Sequence, residues 1–388
     1  MHIAKGISVS ALLTSINLSN NMLGAMGAEH IAQSISASAS LTSIDLGRNS
    51  VGKKMALQLV EIFREKQMVS VGLAGCNLRV DGAQAVAEYI SVSASLTNIN
   101  LNSNDIGSVG AEHIAKAIAV SASLTSIDLN DNEIGAVGAE HIAQAISFSA
   151  SLTSVNLLRN VFNDEIVSML LRLKEEQPSL LTLCGLELNA TEADFSSRNL
   201  NSNDAKLLAP EIAASASLTG INLSGNKLTN YGRDMSGIQA IASAIGVSAS
   251  LTSVDIGYNR IGHEMALKLV GVFKEKQMVS VGLANCSLGN DGAQAVADYI
   301  SVSASLTRID LRKNILGDEG AKHIAKGIAV SASLTQVLAF CSLTPALSHP
   351  LTARVLCADQ PFRQRYWRLL RRGRGVYHLH SGRTNGNS

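Results

Sequence analysis

The run Leu96-Thr97-Asn98-Ile99-Asn100-Leu101-Asn102-Ser103-Asn104 returns in altered form about every 28 residues along the chain. Copies begin at Leu13, Leu41, Met68, Leu96, Leu124, Leu152, Ala190, Leu218, Leu251, Met278, Leu306 and Leu334. Each opens with alternating apolar and polar residues, the period of a strand with one buried face. A helical pattern follows, as in Gly110-Ala111-Glu112-His113-Ile114-Ala115-Lys116-Ala117-Ile118. One such unit cannot bury its own apolar face, whereas stacked units share a continuous core. The repeat therefore predicts one elongated solenoid rather than the two or three globular domains that 388 residues would otherwise suggest. Hydrophobic residues make up 46% of the chain and aromatics only 4%, so aliphatic side chains must build that core.

The sets Leu41-Ile44-Leu46-Asn49-Val51 and Leu124-Ile127-Leu129-Asn132-Ile134 fit the pattern L-x-x-L-x-L-x-x-N/C-x-L position by position. On these residues the chain resembles the leucine-rich repeat family, in its ribonuclease-inhibitor-like subtype with long, helix-bearing repeats. The resemblance covers roughly residues 1–340. It implies an α/β horseshoe solenoid, with a parallel β-sheet on the concave face and α-helices on the convex face. Elementary geometry leads the same way: strands pair at about 4.8 Å while helices need 8–10 Å, so equal units must bend. The Asn of each repeat is expected to pair with backbone groups where the strand turns away. Cys76 and Cys286 occupy that slot in two repeats, where a thiol donates only a weak hydrogen bond.

Departures from the repeat divide the chain. Around Leu180-Leu181-Thr182-Leu183-Cys184-Gly185 a strand-like start is followed only ten residues later by the next, too few for a strand and a helix. This predicts a first repeat block over 1–175, an irregular joint over 176–189 and a second block over 190–340. Residues 55–101 and 265–311 are identical at 36 of 47 positions, which points to duplication of a multi-repeat unit. The step from Leu218 to Leu251 is five residues longer than 28, with Asn230–Ser236 as the expected insertion. The chain opens inside a repeat's helix, since residues 1–10 match 322–331, and fraying or association is expected over residues 1–40.

Charge divides it differently. Residues 341–388 carry eight Arg and one acid, Asp359, while residues 1–340 hold 24 basic and 30 acidic residues. This basic tail is expected to be disordered. It is the only part to which nucleic acid or an anionic membrane surface is assigned, through Tyr366, Trp367, Leu369 and Leu370. No apolar run approaches a membrane span. Five scattered cysteines without metal-ligand spacing read as reduced thiols of a cytoplasmic protein.

Signs of catalysis are weak. Gly47-Arg48-Asn49-Ser50-Val51-Gly52-Lys53-Lys54 falls one residue short of a phosphate-binding loop. Lys54 replaces the hydroxyl that would hold magnesium, and the duplicated copy Gly257–Glu264 has no lysine. His30, His113, His141 and His323 share one helical slot, too far apart across neighbouring helices to share a metal, which needs nitrogens about 2 Å away. No cofactor, metal or small-molecule substrate is expected, and no enzymatic activity.

The expected functional surface is the concave sheet. Side chains alternate along a strand, so Leu96, Ile99 and Leu101 point inward and Asn98 and Asn100 face the open side. Equivalent slots and the turn beyond them supply the candidate protein-binding residues. They are Asp45, Arg48, Asn98, Asn100, Asp128, Asp131, Arg159, Tyr258, Arg308, Asp310, Arg312 and Lys313. The expected function is a protein–protein interaction module with a protein partner. Repeats of this subtype also resemble those of Ran GTPase-activating proteins, which implies regulation of a small GTPase. That family carries an acidic segment after its repeats where this chain is basic, and no catalytic residue carries over. A third implication is the ligand-sensing repeat portion of an immune-receptor-like protein.

Overall fold

The computed structural model describes residues 2–49, 51–339 and 354–356. Among them the first half runs α1 (His2–Val9), β1 (Ser15–Asn17), α2 (Gly24–Ala37), β2 (Ser43–Asp45), α3 (Lys53–Arg64), β3 (Ser70–Gly72), α4 (Arg79–Val92), β4 (Asn98–Asn100), α5 (Gly107–Val120), β5 (Ser126–Asp128), α6 (Gly135–Phe148), β6 (Ser154–Asn156) and α7 (Asp164–Glu176). The second half runs β7 (Glu192–Asp194), α8 (Ser202–Ala214), β8 (Gly220–Asn222), α9 (Ser236–Val247), β9 (Ser253–Asp255), α10 (His263–Lys274), β10 (Ser280–Gly282), α11 (Gly289–Val302), β11 (Arg308–Asp310), α12 (Gly317–Val330), β12 (Gln336–Leu338) and β13 (Arg354–Leu356). Each strand but β6 pairs in parallel with the next in sequence, giving a six-stranded sheet β1–β6 and a seven-stranded sheet β7–β13. This is an α/β solenoid, the architecture that the leucine-rich repeat resemblance implies. The span 341–388 lies outside the described residues except for β13, which pairs with β12.

The alternation of each repeat becomes burial directly. Leu96, Ile99 and Leu101 are buried, Asn98 is exposed and Asn100 half-buried. Ile106, Ile114 and Ile118 from the flanking loop and helix complete that layer, and one core of such layers extends from Ile7 to Ala339. Small residues let the helices stack closely. A Cβ on Gly110 would stand 2.5 Å from Ile106 Cγ2 and 2.9 Å from Ala83 Cβ, so α4 and α5 approach only because that atom is missing.

The Ser-x-Ser-Leu-Thr segment that recurs before eight of the strands is a hydrogen-bonding cassette. Ser121 Oγ accepts the Leu124 N–H at 3.2 Å, closing the turn from helix to strand. Ser123 Oγ donates to the Ser93 carbonyl at 3.0 Å, and Thr125 Oγ1 donates to the Thr97 carbonyl at 3.0 Å, 28 residues earlier. Ser149, Ser151 and Thr153 repeat the arrangement one unit further on. Backbone groups where the chain leaves a helix and enters a strand are thereby satisfied between repeats.

The buried Asn does the same at the other end of the strand. Asn104 Nδ2 donates to the Leu73 carbonyl of the preceding repeat at 2.8 Å and to its own Leu101 carbonyl at 2.9 Å. Its Oδ1 accepts the N–H groups of Cys76 at 2.9 Å and Leu78 at 3.3 Å. Asn132, Asn160, Asn226, Asn259 and Asn314 likewise link neighbouring turns. Cys76 Sγ makes only a 3.7 Å contact to the Ala74 carbonyl, the weaker link its chemistry allows.

Between β6 and β7 the chain forms only two isolated bridges, Ser154 with Thr182 and Asn156 with Cys184. A buried carboxylate holds this stretch. Glu211 on α8 accepts from Lys174 Nζ at 2.8 Å, Thr182 Oγ1 at 2.7 Å and the Leu183 N–H at 2.7 Å. It supplies acceptors to donors that no regular repeat covers.

Candidate functional site: the concave face and its rim

The two ladders of the concave face differ in their freedom. Along the second, Asp45, Asn100, Asp128, Asp255 and Asp310 each accept the N–H of the residue two positions on, at 2.9–3.1 Å. This side-chain turn ends the strand and is a structural duty of Asp and Asn. The first ladder has no such duty: Asn98 is exposed and donates Nδ2 to its neighbour Thr97 Oγ1 at 2.9 Å. Of the candidate residues, those of the second ladder therefore present one oxygen that is already engaged.

On the first sheet the floor is a shallow open trough of Ser15, Ser43, Ser70, Asn98 and Ser126 flanked by Asp45 and Asp128. The Asp45 carboxylate lies where a side chain on Gly72 would otherwise stand, and the stem of Arg48 crosses Gly75. Burial raises the Asp128 carboxyl above its ordinary range, against the opposing pull of the Asn130 N–H. Asp131 and Arg159 come together at 2.7 Å. Arg159 also donates to the Arg198 carbonyl at 2.7 Å, and its own N–H reaches Asp204 at 2.6 Å. This candidate is thus a clamp between the last turn of the first sheet and the first turn of the second.

On the second sheet charge replaces amide. Arg312 grips Asp310 through two nitrogens, Nε at 2.9 Å and Nη2 at 2.5 Å. Lys313 Nζ sits 5.3 Å from the ring centre of Tyr258. Arg308 begins β11 and is half-buried beside this group. Across Gly282, which leaves room for it, the half-buried Asp255 faces the same cluster. Burial pushes its carboxyl up to about 6, with a further upward push from Asp310 and downward pulls from the Gly257 N–H, Arg308 and Arg312. The structure thus joins Tyr258, Arg308, Asp310, Arg312 and Lys313 on one sheet, and places Asp45, Arg48, Asn98, Asn100, Asp128, Asp131 and Arg159 on the other.

The near-miss phosphate loop has other employment. Asn49 Nδ2 donates to the Leu18 carbonyl at 2.7 Å, and Lys53 pairs with Asp81. His30, His113, His141 and His323 sit half-buried at one slot of α2, α5, α6 and α12, and no group of three metal-ligating side chains occurs among the described residues. Cys76, Cys184 and Cys286 are free and buried, and burial first of all drives their thiols away from ionisation, Cys76 to about 12. No helix of the described residues is long and apolar enough to cross a membrane.

Sequence reasoning missed two groups. Glu211 gives no local signal, because its partners lie some 29 residues upstream in the part of the chain that has lost the repeat. The other is Tyr231, which folds over the rim of the second sheet with Lys227 and Arg260 against its ring, 5.3 and 5.0 Å from the centre. Only the length of the Asn230–Ser236 insertion announced it.

The profile of the Leucine Rich repeat family matches residues 92–115, 120–143 and 302–325. No curated protein sequence matches the chain. Among solved structures, the chain is similar to a leucine-rich repeat-containing protein, LegL7, of Legionella pneumophila. The identity is 19% over 87% of this chain and 86% of that one, with a TM-score of 0.34. Rad7 in its complex with Elc1 from yeast is 13% identical over 92% and 87%, with a TM-score of 0.44. The actin-binding site 2 of leiomodin-1 is 15% identical over 46% and 90%, with a TM-score of 0.32.

Proposed function

We propose that this solenoid is a non-enzymatic, cytoplasmic protein-binding module of the ribonuclease-inhibitor-like subtype, and that it holds its partner on the concave face of the second sheet. One observation carries the reading. At the 210-residue offset of the internal duplication, Asn98, Asn100, Asn102 and Ser103 correspond to Arg308, Asp310, Arg312 and Lys313. The buried Ile99, Leu101 and Asn104 correspond to Ile309, Leu311 and Asn314 without change. The scaffold is kept while its open face acquires charge, an arrangement that suits recognition over rigid strands better than catalysis. Tyr258 supplies the aromatic anchor and Arg308, Arg312 and Lys313 the cations, two residue types common among binding hot spots. The test is affinity capture from lysate with wild type and with a variant carrying Tyr258→Ala, Arg308→Asn, Arg312→Asn and Lys313→Ser. A protein retained by wild type alone supports the proposal, and equal capture by both refutes it. GTP hydrolysis by a small GTPase is expected to be unchanged by micromolar amounts of the protein.

A further inference from the structure

The five extra residues after β8 build a feature that no other repeat has among the described residues. Thr252 Oγ1 reaches the Thr219 carbonyl 33 residues earlier, against 28 at the equivalent contact elsewhere. The added chain is pinned from beneath by the buried Thr229, whose Oγ1 accepts the Gly232 N–H at 3.0 Å and donates to the Asn259 carbonyl at 2.7 Å. Tyr231 above it holds left-handed backbone angles, φ 63° and ψ 29°, a conformation unfavourable for a bulky residue. Its side chain is nonetheless 49% exposed rather than buried in a core. The loop is thus fixed in shape while its aromatic ring stays at the surface.

Charge around that ring is one-sided. Lys227 and Arg260 both lie about 5 Å from its centre, and the exposed Arg233 follows two residues later. Among the described residues no carboxylate pairs with any of the three. The nearest acid in sequence, Asp234, is turned away to the hydroxyls of Ser202 and Ser236, each at 2.6 Å. Two cations gathered at one ring repel each other, and an incoming anion relieves that repulsion. We infer that Tyr231, Lys227, Arg233 and Arg260 form a docking site for an acidic segment of a protein, a run of Asp and Glu side chains laid along the rim of the second sheet. Carboxylates suit the site better than nucleic acid, whose binding proteins offer successive free aromatic faces for stacking. Here a single ring already carries cations. The site uses none of the residues of the Tyr258–Arg308 group and does not require that group to bind anything.

A fluorescent decaglutamate peptide, titrated by anisotropy against the full chain at low salt, tests this. Lys227→Glu, Arg233→Glu and Arg260→Glu together are expected to weaken binding about tenfold or more, because reversing the charges turns attraction into repulsion. The Arg-rich segment 341–388 is the same in both proteins and cannot produce that difference. Tyr231→Gly removes the ring and suits the left-handed backbone, so it should leave the melting temperature unchanged or higher while weakening the peptide several-fold. Amide exchange at Gly232–Asp234 should slow on adding peptide, and the four-residue variant of the concave floor should bind it like wild type. Equal affinity of wild type and the charge-reversed protein overturns the inference. So does tighter binding of oligouridylate that the same reversal abolishes.

Discussion

Residues 96–104 and 306–314 are two versions of one strand and turn, and they teach what this scaffold fixes and what it leaves open. In both, the buried Asn makes the same set of bonds: Asn104 to the carbonyls of Leu73 and Leu101 at 2.8 and 2.9 Å, Asn314 to those of Leu283 and Leu311 at 2.7 and 3.0 Å. Both accept from a cysteine N–H at 2.9 Å, Cys76 and Cys286 respectively. On the open side they part. The uncharged Asn102 and Ser103 donate to Asn130 and Asp131 of the next repeat, whereas the cationic Arg312 and Lys313 meet the Asp310 carboxylate and the Tyr258 ring. The interior bonds hold the backbone so firmly that the exterior can change from amide to charge without moving it.

The sharpest break should come where neither version of the repeat is present. Glu211→Ala removes the acceptor of two buried donors and the partner of Lys174, whose side chain is only 22% exposed. A loss of about 3–5 kcal/mol is expected, the usual cost of stranding one member of a buried ion pair. Urea unfolding should show the midpoint falling, and amide exchange should speed first at Thr182–Cys184. Exchange that rises uniformly along the chain would contradict a local role.

Next in size are Asn104→Ala and Asn314→Ala. Each removes the acceptor of two N–H groups and a donor to two carbonyls in a buried turn, of which Leu101 keeps Asn132 Nδ2 at 2.9 Å, for about 2–4 kcal/mol. Because the bonds match within 0.1 Å, the two losses should be similar in size. A clear inequality in denaturant midpoints would show that the blocks are not energetically equivalent inside.

Asp255 separates the blocks by pH. Its carboxyl, pushed up to about 6, binds a proton more tightly in the folded state than in the unfolded one. Folding is therefore penalised by its charge above about pH 6, and the penalty fades as pH falls through 6 toward the ordinary Asp range near 4. Asp255→Asn keeps an oxygen for the Gly257 N–H at 3.0 Å and loses the charge. It should stabilise the protein at pH 7.5 by about 1–2 kcal/mol and hardly at all at pH 4. Asp310→Asn, which restores the first block's residue, should shift the Asp255 titration downward, readable by NMR of its side-chain carboxyl. A constant benefit of Asp255→Asn at both pH values would remove the charge from the explanation.

Much of this was legible in the residues. The Leu-x-Leu alternation located every strand of both sheets up to β12, because a buried face every second residue leaves few other registers. The Asn slot was legible too, since a polar residue at a fixed place in an apolar turn must answer backbone groups. The division of labour between the ladders was not. Asp and Asn serve equally for binding a partner and for ending a strand, and only the N–H two residues on reveals which. Arg159 stands among the candidate binding residues, and its clamp on the second sheet was not legible, because Asp204 and Arg198 reach it from some 40 residues away. Tyr231 was visible only as extra length, since Lys227 and Arg260 meet it through the curl of the loop rather than through any periodicity.

The smallest expected effect on folding is the most informative about use. Exchanging Arg308→Asn, Asp310→Asn, Arg312→Asn and Lys313→Ser gives the second block the first block's open face. The Arg312–Asp310 pair is lost whole, so neither charge is stranded, and the exchange alters side chains that leave Ile309, Leu311 and Asn314 in place. Removing both members of a partly exposed pair costs little, so the midpoint in urea should move by less than about 1 kcal/mol. Capture of a partner should nonetheless fail. A large loss of stability would mean that these charges hold the sheet together rather than meet a partner. Unchanged stability with unchanged capture would mean that the second block's charged face is not where the partner sits.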